Sequence, residues 1–329
     1  MKLKTKTALW KVFSKGGASS AGYHFYDSYL QCPRYFYIRQ LLGIQTFKIS
    51  RYLTFGKILH DCMELFYKTY PPVNVYAYAT YALEQSADKY TDPFAYKDDQ
   101  KRLIPMLKTW YKERYPTDLM EYDVVEIEKT HLLKLPMGYK MTGRLDRLFK
   151  HKETGKLVIV DTKSTSSNVN TPWIAGTQSD QFWIYAAMII QDYDLDYIPE
   201  IYIDSIMGKI NKSDVVCDTA RLGPILPQPY ELKQVLRMYA GLINEVSWKV
   251  EQFTRVHKPV DDEYLWPRRT TRCASFKGCE YLEICRKNLT KQRIGTNFFI
   301  DQPKHLIEEI NNNTVIMNKQ PKTKKREDL

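Results

Sequence analysis

The sequence of 329 residues predicts an α/β fold, and three observations lead to that prediction. Apolar residues recur at helical spacing through the first third of the chain. From residue 123 the period changes to that of strands, and a helix and another strand follow. Hydrophobic residues make up 43% of the chain, which is enough to bury one sizeable core or two modest ones. We therefore expect one folding unit with peripheral additions.

The predicted elements follow one another in a simple order. Helices are predicted over 26–40, 53–70, 77–90 and 99–115. Pro71, Pro72 and Pro116 bound the last two of these helices. Strands are predicted over 123–135, 139–149, 156–162 and 200–207, and a helix over 178–191 lies between the last two strands. A long helix over 229–256 follows, so the helical region precedes the sheet in the chain.

The net charge of +11 lies mostly at the two ends of the chain. Residues 1–15 carry +5 and residues 318–329 carry +3, which leaves +3 for the rest. A basic tail is usually a solvated tail, so the charge alone predicts no particular partner.

The sequence predicts neither a membrane protein nor a secreted one. The longest apolar stretch, 183–190, is far shorter than the roughly 18 residues that a spanning helix needs. The lysine-rich start lacks the apolar centre of a signal peptide. We expect a cytoplasmic protein without a membrane partner, in a bacterium or in a host cell infected by a phage.

One internal segment has the composition of a nucleic-acid-binding groove. Between Asp27 and Asp61 the chain holds arginines, lysines and aromatic residues but no acid. Cations that meet phosphates, beside rings that stack on bases, are typical of sites for single strands. The candidate binding residues are Arg34, Tyr35, Arg39 and Arg51. The alternative is a set of core aromatic residues on helices whose polar face is basic.

A metal site is predicted where two strands meet. The strand that ends in VIVDTKS puts Asp161 and Lys163 two residues apart, on one face. The preceding strand holds Asp146, and HKETG between the strands predicts a hairpin turn that puts Asp146 opposite Asp161. Two facing carboxylates repel, so the pair is best explained by a bridging divalent cation. The alternatives are flanking arginines as partners of Asp146 and a plain salt bridge from Asp161 to Lys163.

A histidine on a helix can complete this set. In FGKILHDCMELFY, His60 and Glu64 share a flank beside the apolar stripe of the helix over 53–70. A side chain on that flank can reach into a cleft. Taken alone, His60 is better explained as an ordinary surface or core histidine, and only its place in the order helix His, strand Asp, strand Asp-X-Lys favours a role in the site.

Five motifs in this order resemble the PD-(D/E)XK nuclease superfamily, in its RecB-like and CRISPR-adaptation-nuclease-like branch. The motifs are DSYLQCPRYFYIRQLLGI, FGKILHDCMELF, GRLDRLF, VIVDTKS and QFWIYAAM. Leu145 stands where the superfamily name has proline, and Asp161 fills the Asp-or-Glu position. The resemblance implies a restriction-endonuclease-like α/β core, that is, a mixed sheet flanked by helices. It also implies an N-terminal helical region and a C-terminal iron–sulfur clasp.

The resemblance further implies the roles of the site residues. The implied metal ligands are His60, Asp146 and Asp161, with Lys163 positioning or activating the attacking water. Carboxylate oxygens favour Mg²⁺ or Mn²⁺ over zinc, and an imidazole shifts the choice toward Mn²⁺. Gln181 and Tyr185, one helical turn apart, would orient Lys163 or the substrate; the alternative places them on the helix surface and in the core.

The six cysteines form a further pattern. A chain of this length without a signal peptide does not need disulfides. Cys273, Cys279 and Cys285 have five residues between neighbours, which matches no ordinary zinc ribbon. The resemblance implies that Cys32 joins them around a [4Fe-4S] cluster, although the first spacing is longer than the Cys-X-X-Cys usual in the family. Zinc at the same four thiolates is the alternative, and Cys62 and Cys217 are expected to be small buried residues.

Together these features predict a metal-dependent nuclease that hydrolyses DNA, as an exonuclease on single strands in recombination, repair or phage replication. A helicase or recombination protein is an expected partner. The alternative is a non-catalytic protein that binds single-stranded nucleic acid. The predicted division of the chain is a helical region over 1–120, the nuclease core over 121–210, a long helix and cysteine cluster over 211–290, and a C-terminal extension over 291–329.

Overall fold

The computed structural model describes most of the chain. It covers residues 22–46, 51–68, 75–87, 93–177, 179–212, 214–255, 262–274, 278–286 and 298–300. The basic ends predicted at 1–15 and 318–329 lie outside these residues. Within the described part, no helix is both long enough and apolar enough to cross a membrane.

The helices are numbered in chain order. They are α1 (Tyr23–Gln31), α2 (Pro33–Phe36), α3 (Arg51–Lys68), α4 (Val75–Glu84), α5 (Pro93–Glu113), α6 (Tyr115–Glu121), α7 (Thr171–Gly176), α8 (Asp180–Tyr193), α9 (Pro229–Arg255), α10 (Asp262–Leu265), α11 (Thr270–Cys273) and α12 (Leu282–Arg286). A π-helical turn, Tyr37–Leu41, follows α2. The strands are β1 (Ile44–Thr46), β2 (Tyr122–Lys134), β3 (Lys140–His151), β4 (Leu157–Thr165), β5 (Glu200–Asn211), β6 (Asp214–Ile225) and β7 (Phe298–Ile300).

A five-stranded mixed sheet in the order β2-β3-β4-β5-β6 forms the centre of the fold. β4 is antiparallel to β3 and parallel to β5, and β5 is antiparallel to β6. A parallel pair needs a crossover connection, and α7 and α8 supply it between β4 and β5. The α/β fold with a mixed sheet flanked by helices, predicted from the sequence, is confirmed.

The chain divides into two compact units. Unit 2 comprises 47–133 and 143–236, and unit 1 comprises the residues before 47, 134–142 and those after 236. Unit 1 holds a second sheet, in which β1 pairs antiparallel with β7. The four consecutive segments expected from the sequence stay a prediction.

The first predicted helix, over 26–40, is wrong in one respect. It is broken at Cys32, whose φ of −165° and ψ of 115° are extended. The ring of Pro33 disfavours the helical conformation for the residue before it, and Pro33 itself begins α2. The break buries the Cys32 thiol, where the backbone N–H of Arg269 donates to its Sγ at 3.4 Å.

Two elements, α6 and β6, were not predicted from the sequence. Pro116 was expected to end a helix. It lies instead in the first turn of α6, where a missing N–H costs nothing. Strand β6 forms a hairpin with β5, in which Asn211 pairs with Asp214. It is an edge strand whose exposed residues weaken the apolar alternation that marks a strand.

The helices that precede the sheet build the larger core of unit 2. Phe66 of α3 lies 5.4 Å from the ring of Trp110 of α5 and 6.0 Å from that of Tyr115. Trp110 is fully buried, and Ile206 of β5 belongs to the same cluster. The helices predicted over 77–90 and 99–115, which lie between His60 and the sheet in the chain, therefore contribute to the core.

A buried network of charges links β3, β5 and β6. Asp204 of β5 accepts hydrogen bonds from Arg147 Nη2 at 2.9 Å and from Arg221 Nε at 2.7 Å. Arg221 also contacts Asp118 at 2.7 Å. Burial alone would raise the pKa of Asp204, but Arg221 and Arg147 outweigh it and lower the pKa to about 2.

We expect Asp204→Ala to destabilise the protein strongly, because Arg147 and Arg221 would be left buried with one carboxylate fewer. Breaking a buried ion pair costs about 3–5 kcal/mol of the free energy of unfolding. Urea unfolding followed by circular dichroism measures the change. The control is Asp218→Ala on exposed β6, which should change stability by less than about 0.5 kcal/mol. Equal effects of the two substitutions would contradict the role assigned to the network.

The same network predicts an acid dependence of stability. The folded pKa of Asp204, about 2, lies below its ordinary value of 3.8. The contribution of Asp204 is therefore complete above about pH 4 and is lost as the pH falls toward 2. Urea unfolding between pH 5 and pH 2 should show this loss in the wild type and little of it in Asp204→Ala.

Candidate active site

The register of β3 and β4 positions two acidic residues. Arg147 pairs with Val160 and Lys150 with Leu157, so the next position of the register brings Asp146 opposite Asp161, as the sequence predicted. The backbone N–H of Thr162 donates to Asp146 Oδ2 at 2.7 Å. Arg147 Nη2 donates to Thr162 Oγ1, also at 2.7 Å. The strand pairing therefore holds the carboxylate of Asp146 in one place.

His60 of α3 lies against the same carboxylate. Its Nδ1 is 3.3 Å from Asp146 Oδ1 and 3.4 Å from Glu128 Oε1. One donor atom from each of these three residues lies within 4.8 Å of the others. Burial would lower the pKa of His60, but the carboxylates of Asp146 and Glu128 outweigh it and raise the pKa to about 10. The histidine thus occupies a strongly negative site.

Glu128 is a site residue that the sequence analysis missed. It lies in β2 with φ of +50°, a backbone conformation that is uncommon for residues other than glycine. Arg144 Nε contacts Glu128 Oε2 at 2.9 Å. Nothing in the sequence separates Glu128 from Glu126, which instead contacts His131 and Lys129. The positive φ at Glu128 is what distinguishes the position of its side chain from that of Glu126.

Asp161 and Lys163 form the second half of the site. Lys163 Nζ lies 2.7 Å from Asp161 Oδ2, so the predicted contact on one face of β4 is present. Burial and the charge of Asp146 raise the pKa of Asp161, whereas Lys163 lowers it. Burial lowers the pKa of Lys163, but Asp161 and Asp146 outweigh it and raise the pKa. Lys163 forms the predicted salt bridge with Asp161, but its single positive charge does not neutralise both Asp161 and Asp146.

The flanking arginines are not partners of Asp146. Arg144 contacts Glu128, and Arg147 contacts Asp204. The alternative interpretation of Asp146 as a simple arginine partner is therefore wrong.

The helix α8 lies beside these acids. Gln181 Nε2 donates to Tyr185 OH at 2.7 Å, and both side chains are buried. Burial, together with Asp161 and Asp146, raises the pKa of the Tyr185 phenol. Gly143 permits the close approach of α8 to β3, because a Cβ there would lie 2.7 Å from Met188 Sδ and 3.2 Å from Tyr185 Cε1.

The donor set suits a hard divalent cation. The carboxylates of Glu128 and Asp146 share the site with the imidazole of His60. Asp161, expected as a third ligand, lies outside that group, opposite Asp146 and paired with the ammonium of Lys163. The raised pKa of Asp161 reflects a buried carboxylate whose charge the protein does not fully compensate. Carboxylate oxygens with one imidazole fit Mg²⁺ or Mn²⁺.

Three of the four predicted nucleic-acid-binding residues, Arg34, Tyr35 and Arg39, lie together in unit 1, where Arg39 Nη1 donates to Tyr35 OH. Arg34 and Tyr35 are buried in unit 1, and the Arg34 guanidinium lies 5.2 Å from the ring centre of Tyr37. Arg39 is partly exposed and contacts Glu280 at 3.5 Å. The burial of Tyr35 agrees with the alternative of a core aromatic residue, whereas Arg34 was expected on a polar face; the binding role of both residues stays a prediction. The side chain of Arg51 lies outside the described residues.

The four candidate cluster cysteines all belong to unit 1 and are free thiols. Burial raises the pKa of Cys285, Arg34 and Arg268 lower it, and Cys273 and Cys32 raise it. The thiols of Cys273 and Cys32 therefore lie close enough to Cys285 to shift its pKa. In unit 2, Cys62 is fully buried in the core and Cys217 packs against it half-buried, as expected for small apolar residues.

Comparisons with known proteins add to this geometry. A family model described as the PD-(D/E)XK nuclease superfamily matches residues 24–286. The chain is similar to the crystal structure of a candidate exonuclease from Eubacterium rectale, with 12% identity and a TM-score of 0.44 over 75% of this chain and 92% of that chain. It is also similar to the protein SSO0001, with 18% identity and a TM-score of 0.27 over 72% and 96% of the two chains. No curated protein matches the chain.

We expect Glu128→Gln to weaken Mn²⁺ binding, because it removes one charged oxygen donor from the group around His60. Loss of a residue that only supports a metal ligand costs about 10–100-fold in affinity, so loss of a donor should cost at least tenfold. Isothermal titration calorimetry with Mn²⁺ measures the effect. Glu113→Gln, an exposed residue at the end of α5, is the control. Unchanged affinity in Glu128→Gln would remove Glu128 from the site.

Proposed function

The chain belongs to the PD-(D/E)XK nuclease superfamily, and from that premise we propose that it is a metal-dependent deoxyribonuclease that degrades single-stranded DNA from an end. The observation that carries the proposal is the meeting of His60, Glu128 and Asp146 with the Asp161–Lys163 pair. A helix and three neighbouring strands supply these side chains.

Each residue has a role that its position supports. His60, Glu128 and Asp146, whose donor atoms lie close together, would hold Mg²⁺ or Mn²⁺, and Asp161, opposite Asp146 in the register, would be a further ligand. When bound, the metal stabilises negative charge on the phosphate and lowers the pKa of a water. Lys163 is held by Asp161, yet 41% of its side chain is exposed, so its ammonium can position the attacking water and meet the phosphate. Gln181 and Tyr185 orient Lys163 or the substrate.

A non-catalytic nucleic-acid-binding protein is the alternative function. A groove that only binds phosphates gains nothing from buried carboxylates, which repel them. Glu128, Asp146 and Asp161 make sense near DNA only with a cation between them and the phosphate. The acids therefore favour catalysis over simple binding.

We further propose the RecB-like branch of the superfamily, with Cys32, Cys273, Cys279 and Cys285 as ligands of a [4Fe-4S] cluster. All four cysteines belong to unit 1, and zinc at the same four thiolates is the alternative.

The environment of Arg34 is evidence for an anionic group at these thiols. Its side chain is 7% exposed, and its Nε and Nη1 have no hydrogen-bond partner among the described residues. Two buried guanidinium nitrogens without hydrogen-bond partners are costly. Because Arg34 also lowers the pKa of Cys285, it lies close enough to balance a cluster whose thiolate ligands make it negative. The contact with DNA expected for Arg34 stays a prediction.

The biological setting follows from the branch. A single-strand exonuclease of this kind serves recombination, repair or phage replication in the cytoplasm, beside a helicase or recombination protein. The free cysteines agree with a reducing compartment.

Substitutions in the Asp161–Lys163 pair test the catalytic proposal. Asp161→Ala should abolish both cleavage and Mn²⁺ binding, since it removes a ligand. Lys163→Ala should lose at least about a hundredfold in kcat/KM and keep Mn²⁺ binding, because it removes a group that acts on the water or the transition state. Cleavage of end-labelled and circular single strands, with Mn²⁺ or with chelator, measures activity.

The control is Lys150→Ala, an exposed lysine of β3, which should cleave at the wild-type rate. Wild-type rates in Asp161→Ala or Lys163→Ala would exclude the proposed site. Cleavage of circles as fast as linear strands would exclude action from an end.

Substitutions of the cysteines test the cluster. Anaerobically purified protein should be brown, and Cys32→Ala, Cys279→Ala or Cys285→Ala should bleach it and lower its thermal midpoint, because metal-bound structure contributes to folding. Cys62→Ala and Cys217→Ala should keep the colour. Iron and zinc are measured by elemental analysis. Full iron content in Cys32→Ala, or neither metal in the wild type, would exclude the four-thiolate site.

A further inference from the structure

The two carboxylates in the group around His60 share one feature, which is that a protein N–H occupies one oxygen of each. Thr162 N–H donates to Asp146 Oδ2 at 2.7 Å, and Asp146 Oδ1 lies 3.3 Å from His60 Nδ1. Arg144 Nε lies 2.9 Å from Glu128 Oε2, and Glu128 Oε1 lies 3.4 Å from the same imidazole nitrogen. Each carboxylate therefore turns a single oxygen toward the group.

Asp161, the further ligand expected opposite Asp146, is held in a similar way. Lys163 Nζ lies 2.7 Å from Asp161 Oδ2. Three different groups, a backbone amide, a guanidinium and an ammonium, thus lie against one oxygen of each of three carboxylates. The site is left with one oxygen from each acid and with the imidazole of His60.

The size of a cation decides whether single oxygens suffice to bind it. Mg²⁺ needs nearly octahedral geometry with bonds of about 2.0–2.1 Å and keeps several waters, and Mn²⁺ also suits octahedral sites. Ca²⁺ takes about 6–8 oxygen ligands at about 2.3–2.6 Å and often binds both oxygens of a carboxylate. A set of single oxygens and one imidazole therefore suits the smaller cations and leaves Ca²⁺ with too few ligands.

The contact between Arg144 and Glu128 does more for orientation than for stability. The side chain of Arg144 is 66% exposed, and a partly exposed ion pair stabilises a protein little. Glu128 has a φ of +50°, which costs free energy and persists only where the surroundings enforce it. Binding of a cation by both oxygens of Glu128 would draw Oε2 away from the guanidinium, so the contact opposes that mode of binding.

We propose that Arg144 is a positioning residue that sets the metal selectivity of the site. By holding Glu128 Oε2, it limits Glu128 to one oxygen donor and favours Mg²⁺ or Mn²⁺ over Ca²⁺. The inference rests on the metal site of the proposed function and adds to it the residue that selects the ion. Arg144 is the donor to change in a test, because the amide of Thr162 belongs to the backbone and Lys163 has a proposed role in hydrolysis.

The test compares the affinities of the full-length protein for Mn²⁺ and Ca²⁺, each titrated alone by isothermal calorimetry. Arg144→Ala frees Glu128 Oε2, so the preference for Mn²⁺ over Ca²⁺ should fall at least about tenfold, since groups that support metal ligands typically change affinity about 10–100-fold. The lost positive charge affects two divalent ions alike and cancels in the ratio of affinities. Arg237→Ala, exposed on α9, should keep the wild-type ratio.

A second background shows whether Arg144 acts through Glu128. Glu128→Gln replaces the carboxylate by an amide, which has one acceptor oxygen and cannot bind a cation through two. Adding Arg144→Ala to Glu128→Gln should therefore leave the ratio of affinities unchanged. An unchanged ratio in Arg144→Ala alone, or an equal fall in the two backgrounds, would overturn the inference.

The same titrations separate this inference from the proposed function. A wild type that binds neither ion would refute the metal site and the inference with it. A wild type that binds Mn²⁺ but does not cleave DNA would refute the nuclease function alone, and the ratio of affinities would still decide the role of Arg144.

Discussion

The pairing of β3 with β4 is the constraint on which the candidate active site depends. Side chains alternate between the two faces of a strand, so a slip of one residue would turn Asp146 or Asp161 away from the other. The bond from Thr162 N–H to Asp146 and the bond from Arg147 to Thr162 Oγ1 hold the register at the point where the two acids face each other. The strand pairing thus performs the positioning that a metal site requires.

The alternation also separates two kinds of charge. Arg147 and Thr162 meet Asp204, whose charge is balanced by two guanidinium groups. The neighbouring residues Asp146 and Asp161 meet a single ammonium and an imidazole. Buried ion networks of the first kind are common in stable proteins, whereas a cluster of incompletely balanced carboxylates is costly unless a ligand offsets the cost. The sheet therefore carries a balanced ion network and a candidate metal site on adjacent residues.

Sequence reasoning found those parts of the site that depend on period and spacing. The hairpin turn after β3 is short and polar, so the pairing of Asp146 with Asp161 could be predicted. Glu128 could not be predicted as a site residue, because its position depends on a positive φ within β2 and no residue type in the sequence indicates that conformation. The burial of Arg34 was missed for a related reason. A helix of basic and aromatic residues has the same composition whether it faces solvent or the interior, and only tertiary packing decides between them.

Unit 1 is held together by contacts between segments that are far apart in the chain. Tyr281 OH donates to the carbonyl of Ile44 at 2.8 Å, and the ring of Tyr35 packs edge-on against that of Tyr281. Tyr35 OH also donates to Glu280 at 3.1 Å. Such contacts close a loop of more than 200 residues, and a cross-link across a long loop restricts the unfolded chain most. A cluster on the same segments would strengthen a closure that side chains already make, so its contribution belongs to stability. The acids and the lysine proposed for hydrolysis all lie in unit 2.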